Sequence, residues 1–131
     1  FWVNAGAVAI TTLAGSELIL RAGESPFLQS VLPFLKGMTL MAWGFAAWWV
    51  VMLFILGFWR HAARRFPFVY TPGYWSMVFP MGMFTACTIM CSKALGVASL
   101  MAVPRVFIYV SVLSWLCTFW GLGRFLWRSL R

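Results

Sequence analysis

Residues 66–92 form an uncharged apolar run that is long enough to cross a lipid bilayer as a helix. Pro80 lies near the middle of this run, directly after Phe79. Proline has no amide hydrogen and clashes with the preceding turn, so it predicts a break in the helical hydrogen-bond ladder. Such a break is tolerated in hydrocarbon where protein or a water-filled cavity covers the freed carbonyl. A large aromatic ring beside the break indicates a pathway across the membrane and a group that blocks it.

The composition places the chain among integral membrane proteins. Of its 131 residues, 63% are hydrophobic and 9% are charged, and the mean hydropathy is +0.91. A soluble domain carries about a quarter charged residues. The chain starts at Phe1, inside an apolar segment, without a basic leader or a small-residue cleavage site. We therefore expect the C-terminal fragment of a longer polytopic protein, with a cleaved mature form as the alternative.

Apolar segments and their interruptions predict an all-α membrane domain with four transmembrane helices. Residues 21–36 contain Gly23, Pro26 and Pro33 and are expected to form a loop with a short reentrant or interfacial piece. Pro72 suits the first turn of the third helix. Because the connections are short, consecutive helices should be antiparallel neighbours in two successive hairpins. The predicted spans are residues 2–20, 37–59, 72–91 and 105–123, with a loop at 60–66 and a tail at 124–131.

The basic residues predict the orientation of these helices, since cytoplasmic loops of membrane proteins carry an excess of Lys and Arg. Six arginines fall on one side of the predicted membrane and four basic residues on the other. The first group is Arg60, Arg64, Arg65, Arg124, Arg128 and Arg131, and the second is Arg21, Lys36, Lys93 and Arg105. We expect the 60–66 loop and the C-terminus in the cytoplasm, and the protein in the plasma (inner) membrane. Because the charges divide between two sides, the net charge of +8 predicts no nucleic-acid surface.

The first and third predicted helices carry small and hydroxyl residues, whereas the second and fourth are rich in Trp, Phe, Leu and Val. Small residues let helices approach closely, which is the packing interpretation. Alternatively, these faces line a pore in which hydroxyls and backbone groups replace a solute's hydration shell. A shift of 73 residues places the first helix on the third in a weak internal repeat. The candidate pore-lining residues are Gly6, Thr11, Thr12 and Gly15 in the first helix, and Pro80, Gly82, Met83, Thr85 and Thr88 in the third.

Glu17 is the one carboxylate in or near a predicted span, and acidic groups within membranes are functional candidates. Arg21 follows four residues later, at the spacing of an ion pair on one helix face. One interpretation is therefore an interfacial ion pair near the outer end of the first helix. The alternatives are proton coupling or a place at the mouth of a pore.

The spans lack the groups that a membrane enzyme or a haem protein needs. An enzyme requires convergent acidic or polar groups, whereas the spans offer hydroxyls and Asn4. A haem requires histidine at membrane depth, and the one histidine, His61, falls in a loop. The three cysteines lie in apolar runs without metal-binding or redox spacing. We expect no enzymatic activity, no cofactor and no metal. A structural or accessory helical subunit, with no pore of its own, is the alternative function.

The string Trp75-Ser76-Met77-Val78-Phe79-Pro80-Met81-Gly82-Met83, followed by Thr85 and Thr88, resembles the penultimate helix of the tellurite-resistance/dicarboxylate transporter family. That family includes the plant guard-cell slow anion channels. Ala5-Gly6-Ala7 and Thr12-Leu13-Ala14-Gly15, together with Trp59-Arg60-His61, are similar to its bacterial members.

The resemblance implies a ten-helix protein of five hairpins around a central pore, with inner helices kinked by proline. This chain would supply the last two hairpins and pack against upstream helices of the same protein. Phe79 maps to the aromatic ring that closes the pore, and Pro80 would leave a half-helix N-terminus that favours anions. The first helix departs from the pattern because it has glycines but no proline. The implied partners are membrane lipid, a possible second copy, and small anions or organic acids such as chloride, nitrate, malate, sulfite and tellurite.

Overall fold

The computed structural model describes residues 2–63 and 70–130, and this part of the chain is helical. The helices are α1 (Trp2–Leu20), α2 (Pro26–Ser30), α3 (Leu32–Phe58), α4 (Trp75–Leu95) and α5 (Ala102–Ser129). Short 3₁₀ segments precede α2, α4 and α5, and a π-helical turn, Trp59–Ala63, extends α3. Four helices are long and apolar enough to cross a membrane, which confirms the all-α membrane fold predicted from the sequence.

The helix bounds differ from the predicted spans at several ends. α3 starts at Leu32, five residues before the predicted start, because Pro33 lies in the first helical turn, where proline is tolerated. The short helix Pro26–Ser30 occupies the predicted loop. α5 continues to Ser129, so most of the predicted C-terminal tail is helical. Of the six arginines predicted to lie on the cytoplasmic side, Arg64, Arg65 and Arg131 lie outside the described residues.

α4 is continuous through Pro80, in contrast to the break that its sequence predicts. Pro80 removes one amide donor, the one that would reach the carbonyl of Ser76, and the rest of the helical ladder continues on both sides. The helix ends at Gly96, whose φ of 69° is a left-handed conformation that glycine adopts without strain. Because α4 does not unwind at Pro80, no half-helix N-terminus forms there.

The inner helices α1 and α4 lie side by side and run in the same direction. Gly6 lies against Pro80 near the start of both helices, and Ser16 lies beside Cys91 near the end of both. By contrast, α3 is antiparallel to α1, since Trp2 contacts Phe54 and Gly15 contacts Thr39. α5 is likewise antiparallel to α4, since Thr85 contacts Ser111 and Met81 contacts Ser114. The described chain is therefore two hairpins, each with its leading helix at the centre.

The outer helices α3 and α5 expose most of their surface. In the most apolar window of each helix, 44% of the residues are buried in α4 and 33% in α1, against 22% in α3 and 6% in α5. The core holds small side chains of α1, such as Ala5 and Ala9, against larger groups of α3 and α4. Aromatic rings then link the helices in the order Trp2, Phe54, Phe107, Phe84 and Trp43, with centroids 5.1–6.4 Å apart. This packing fixes α1 and α4 as the inner pair.

Candidate functional site

Phe79 and Pro80 lie at the contact between the two inner helices. A Cβ atom placed on Gly6 would be 3.3 Å from Pro80 Cγ and 3.4 Å from Phe79 Cε1. Glycine therefore allows α1 to approach the Phe79–Pro80 pair closely, with no side chain between them. Pro80 is buried in this contact, whereas the Phe79 side chain is 56% exposed. The Phe79 ring therefore projects away from the core, next to a proline that is packed against α1.

Phe79 begins an exposed stripe along α4, formed by Phe79, Gly82, Ala86 and Lys93. These residues are three, four and seven positions apart, which places them on one helix face. Phe79, Gly82 and Lys93 are exposed, and Ala86 is half-buried. Phe79 and Lys93 are about 21 Å apart along the helix axis, at 1.5 Å per residue. We call these four residues the α4 stripe. Its side chains are an aromatic ring, two small groups and one cation, and half-buried Met90 lies on the same face between Ala86 and Lys93.

The predicted pore-lining threonines of α4 face its neighbouring helices instead. Thr88 is fully buried, donates to the Phe84 carbonyl at 2.7 Å and accepts from the Trp43 indole nitrogen at 3.0 Å. Thr85 is 6% exposed, donates to the Met81 carbonyl at 2.9 Å and lies 3.2 Å from the Ser111 hydroxyl of α5. Their hydroxyls thus tie α3 and α5 to α4. This arrangement favours the packing interpretation for both threonines.

Met81 adds a second link between α4 and α5, because the Ser114 hydroxyl lies 3.4 Å from its sulfur. The pairs Thr85–Ser111 and Met81–Ser114 run in opposite order along the two helices, so α4 and α5 are antiparallel. Met83, another predicted pore residue, is half-buried and packs against the core cluster. Of the predicted residues on α4, Phe79 and Gly82 are therefore the two that are well exposed.

The predicted residues of α1 divide between different faces. Thr12 is fully buried and donates to the Val8 carbonyl at 3.1 Å. Gly15 lies against Thr39 of α3, with the Thr39 Cβ 3.2 Å from the position of a Cβ on Gly15. Thr11 is exposed, but it lies five residues from Gly6, which is about 140° around the helix. Gly6 is consequently the α1 residue that meets Phe79, and Thr11 points elsewhere.

Glu17 and Arg21 form the ion pair that their spacing predicts. Arg21 Nε lies 3.8 Å from Glu17 Oε2, and both side chains are well exposed. Because Ser16 lies beside Cys91, Glu17 and Lys93 are at the same level of the bundle. Arg21 offsets the charge of Glu17, and this end of the bundle carries four basic residues against two acidic ones, so positive charge is in excess around Lys93.

Sequence reasoning missed Ala86 as a member of the exposed stripe and Trp43 as the partner of Thr88. The spacing of Phe79, Gly82, Ala86 and Lys93 was the available signal for the stripe, since it follows the helical repeat. Trp43 belongs to a helix with several tryptophans, and composition alone does not distinguish the one that turns inward. Its indole is identified by the hydrogen bond to Thr88.

Known proteins share both the sequence and the membrane character of this chain. Two proteins named uncharacterized membrane proteins, from two strains of Mycobacterium tuberculosis, are 34% identical to it over 84 residues, which is 64% of this chain and 42% of theirs. A protein of Methanocaldococcus jannaschii named an uncharacterized transporter is 30% identical over 95 residues, which is 72% of this chain and 26% of that protein. The chain thus spans less than half the length of these curated relatives. No solved structure matches it.

A family match covers nearly the whole chain and agrees with the resemblance of the Trp75–Met83 string. Residues 1–122, which include both hairpins, match the family described as voltage-dependent anion channel. The family is one of channels and transporters, in keeping with four apolar helices and a transporter-named relative. The chain therefore belongs to the voltage-dependent anion channel family.

Proposed function

We propose that this chain forms part of the wall of a pore for small anions or organic acids, and that the Phe79 ring is its gate. The observation that carries the proposal is the contrast at the inner-helix contact. Pro80 is buried against Gly6, while the ring of the adjacent residue, Phe79, is 56% exposed. A large apolar side chain on an inner helix of a channel protein is suited to closing a path by dewetting it.

The charges along the α4 stripe favour anions over cations. The stripe contains no carboxylate and ends in Lys93. Glu17 lies at the same level as Lys93, but Arg21 pairs with it, so this end has an excess positive charge. Between Phe79 and Lys93 the side chains of Gly82, Ala86 and Met90 carry no charge. An anion would therefore meet weak attraction at the mouth and no binding charge beyond it, as fast passage requires.

The remaining walls come from outside this chain in our proposal. Two hairpins cannot enclose a path, and the relatives are more than twice as long as their matched segments. We propose that further hairpins of a longer protein complete a ring of inner helices in a plasma membrane, with the end of α5 in the cytoplasm. The transported ions would be of the chloride, nitrate, malate, sulfite and tellurite class.

Electrophysiology of the full-length protein carrying Phe79→Ala tests the gate. We expect a larger anion conductance than in the wild type, because removal of the ring removes the apolar plug. The matched control is Phe45→Ala, which removes a ring of similar exposure (60%) from the outer helix α3. The gate assignment fails if Phe79→Ala conducts like the wild type, or if the Phe45→Ala variant gains conductance equally.

A transporter is the second candidate, because the Methanocaldococcus jannaschii relative is named an uncharacterized transporter. Anion flux that depends on an imposed pH gradient, measured in liposomes without a membrane potential, would identify coupling. Flux that follows the anion gradient alone would identify a channel. Replacement of the external anion in the same measurements would rank the substrates.

A further inference from the structure

A groove separates the start of α4 from the second half of α5. Its apolar part is a cavity of about 400 Å³ lined by Tyr70, Tyr74, Met77, Leu113, Ser114, Cys117, Thr118 and Gly121. Its basic part is a cavity of about 350 Å³ lined by Tyr70, Cys117, Trp120, Gly121, Arg124, Phe125 and Arg128. The two parts share Tyr70, Cys117 and Gly121, so they are one continuous groove with an apolar end and a cationic end.

The wall of this groove is held in place by specific contacts. The Trp75 indole nitrogen donates to the Tyr70 hydroxyl at 3.1 Å, and the Tyr70 ring lies 5.8 Å from that of Phe125. A Cβ on Gly121 would come within 2.8 Å of Tyr70 Cδ2, so glycine is what allows the tyrosine to lie this close to α5. The Tyr70 hydroxyl accepts from Trp75 and keeps its own hydrogen to donate to a ligand oxygen.

The cationic end has no counter-charge from this chain. Arg124 and Arg128 are four residues apart and therefore lie on one face of α5. The chain contains two acidic residues, Glu17 and Glu24, and both are near the opposite end of the bundle. These 131 residues therefore supply no carboxylate near Arg124 and Arg128.

We propose that this groove binds an anionic phospholipid. Arg124, Arg128 and the Tyr70 hydroxyl hold the phosphate, and an acyl chain lies along Met77, Leu113 and Cys117. Basic pockets between transmembrane helices are suited to anionic headgroups, and the cytoplasmic leaflet, where our proposed function puts this end of α5, is rich in such lipids. Trp120, beside the arginines, is exposed, and exposed tryptophans commonly anchor helices to the membrane–water interface. The site is separate from the α4 stripe and does not depend on the gate.

Native mass spectrometry of the full-length protein, titrated with phosphatidylglycerol and with phosphatidylcholine, tests the site. We expect the wild type to prefer phosphatidylglycerol and Arg124→Gln/Arg128→Gln to lose that preference by about 30-fold, the effect of two basic groups near an anionic surface. Arg124→Lys/Arg128→Lys should retain most of the preference. The matched control, Lys36→Gln/Arg105→Gln, removes two exposed cations from the other end of the bundle and should retain all of it.

The apolar half of the groove is tested by a separate variant. Cys117→Phe places a ring where the two parts of the groove meet, and we expect it to weaken phosphatidylglycerol binding severalfold without a change of charge. Glycerol phosphate, the headgroup without acyl chains, should not displace bound lipid from the wild type. Equal binding of the two lipids by the wild type, equal losses in both double glutamine variants, or displacement by glycerol phosphate would each overturn the proposal. So would a Cys117→Phe protein whose subunit stoichiometry changes while its lipid preference does not, because a protein partner would then occupy the groove.

Discussion

The Trp43 indole nitrogen donates a hydrogen bond to the Thr88 hydroxyl at 3.0 Å and so joins outer helix α3 to inner helix α4. Thr88 passes its own hydrogen to the Phe84 carbonyl, and the Trp43 and Phe84 rings are stacked with centroids 6.4 Å apart. The hydroxyl is fully buried, so no solvent can replace it. The Thr88 hydroxyl therefore provides the acceptor for the Trp43 indole N–H at the contact between the two hairpins.

Thr88→Val should lower the stability of the protein by about 1–2 kcal/mol, because it leaves the buried indole N–H without an acceptor. Thermal unfolding of the full-length protein in detergent measures the effect as a lower Tm. Thr11→Val is the matched control, since Thr11 is exposed and its hydroxyl bonds its own helix at Ala7. Equal Tm losses in the two variants would show that the bond to Trp43 contributes nothing specific.

Gly15→Ala should destabilise the contact of α1 with α3 by about 1–3 kcal/mol. A Cβ at this position would overlap the Thr39 hydroxyl and lie 3.2 Å from Thr39 Cβ. Thr39→Ala removes the hydroxyl and the methyl group but keeps the Cβ, so the double variant should recover most of the stability lost in Gly15→Ala alone. Gly44→Ala, where nothing lies within 4 Å of the new methyl group, is the control and should not lower the Tm. If Thr39→Ala does not raise the Tm of the Gly15→Ala variant, the Gly15–Thr39 contact does not limit the approach of α1 to α3.

Gly6→Ala should reduce the anion conductance of the full-length protein severalfold. The added methyl group would lie 3.3 Å from Pro80 Cγ, which is closer than ordinary contact, and 3.4 Å from Phe79 Cε1, so we expect the Phe79–Pro80 segment to shift slightly away from α1 and towards the proposed path. The same change in a Phe79→Ala background should have little effect, because no ring remains to be moved. Single-channel recordings of the two single variants and the double variant measure this coupling. Additive effects on the conductance would argue against a role for Gly6 beneath the gate.

Pro80→Ala should leave α4 helical and the anion selectivity unchanged, with a Tm equal to or above that of the wild type. The helix is already continuous, and alanine restores an amide donor for the Ser76 carbonyl. Circular dichroism measures the helix content, and reversal potentials measure the selectivity. Pro104→Ala, in the first turn of α5 where proline costs little, is the matched control. Loss of selectivity in Pro80→Ala alone would point to a functional helix end at Pro80 after all.

The sequence was sufficient for the four helices and for the distinction between inner and outer ones. Uncharged length identifies a span, and the small residues of α1 and α4 indicate close approach. It was not sufficient to assign faces within the inner helices. Thr12, Thr85 and Thr88 were candidates for the pore wall, yet hydroxyls on an inner helix serve neighbouring helices as readily as a solute. Their partners, Trp43 and Ser111, are distant in sequence, so only the packed structure distinguishes the two roles.

Pro80 shows a second limit of sequence reasoning. A proline inside a span removes one amide, but whether the helix then unwinds depends on the support around it. Here the Pro80 ring is buried against Gly6 of the neighbouring helix, and α4 continues. The support comes from a residue 74 positions earlier, which local sequence patterns do not reveal.

Because α1 and α4 run in the same direction, their helix dipoles add rather than cancel. Each helix carries about half a positive elementary charge at its N-terminus and half a negative one at its C-terminus. Because the two helices are parallel, their negative C-terminal ends lie together near Leu20 and Leu95. Lys93, in the last turn of α4, offsets the negative ends. One side chain thus offsets about one negative elementary charge that the parallel arrangement of two helices places at this end.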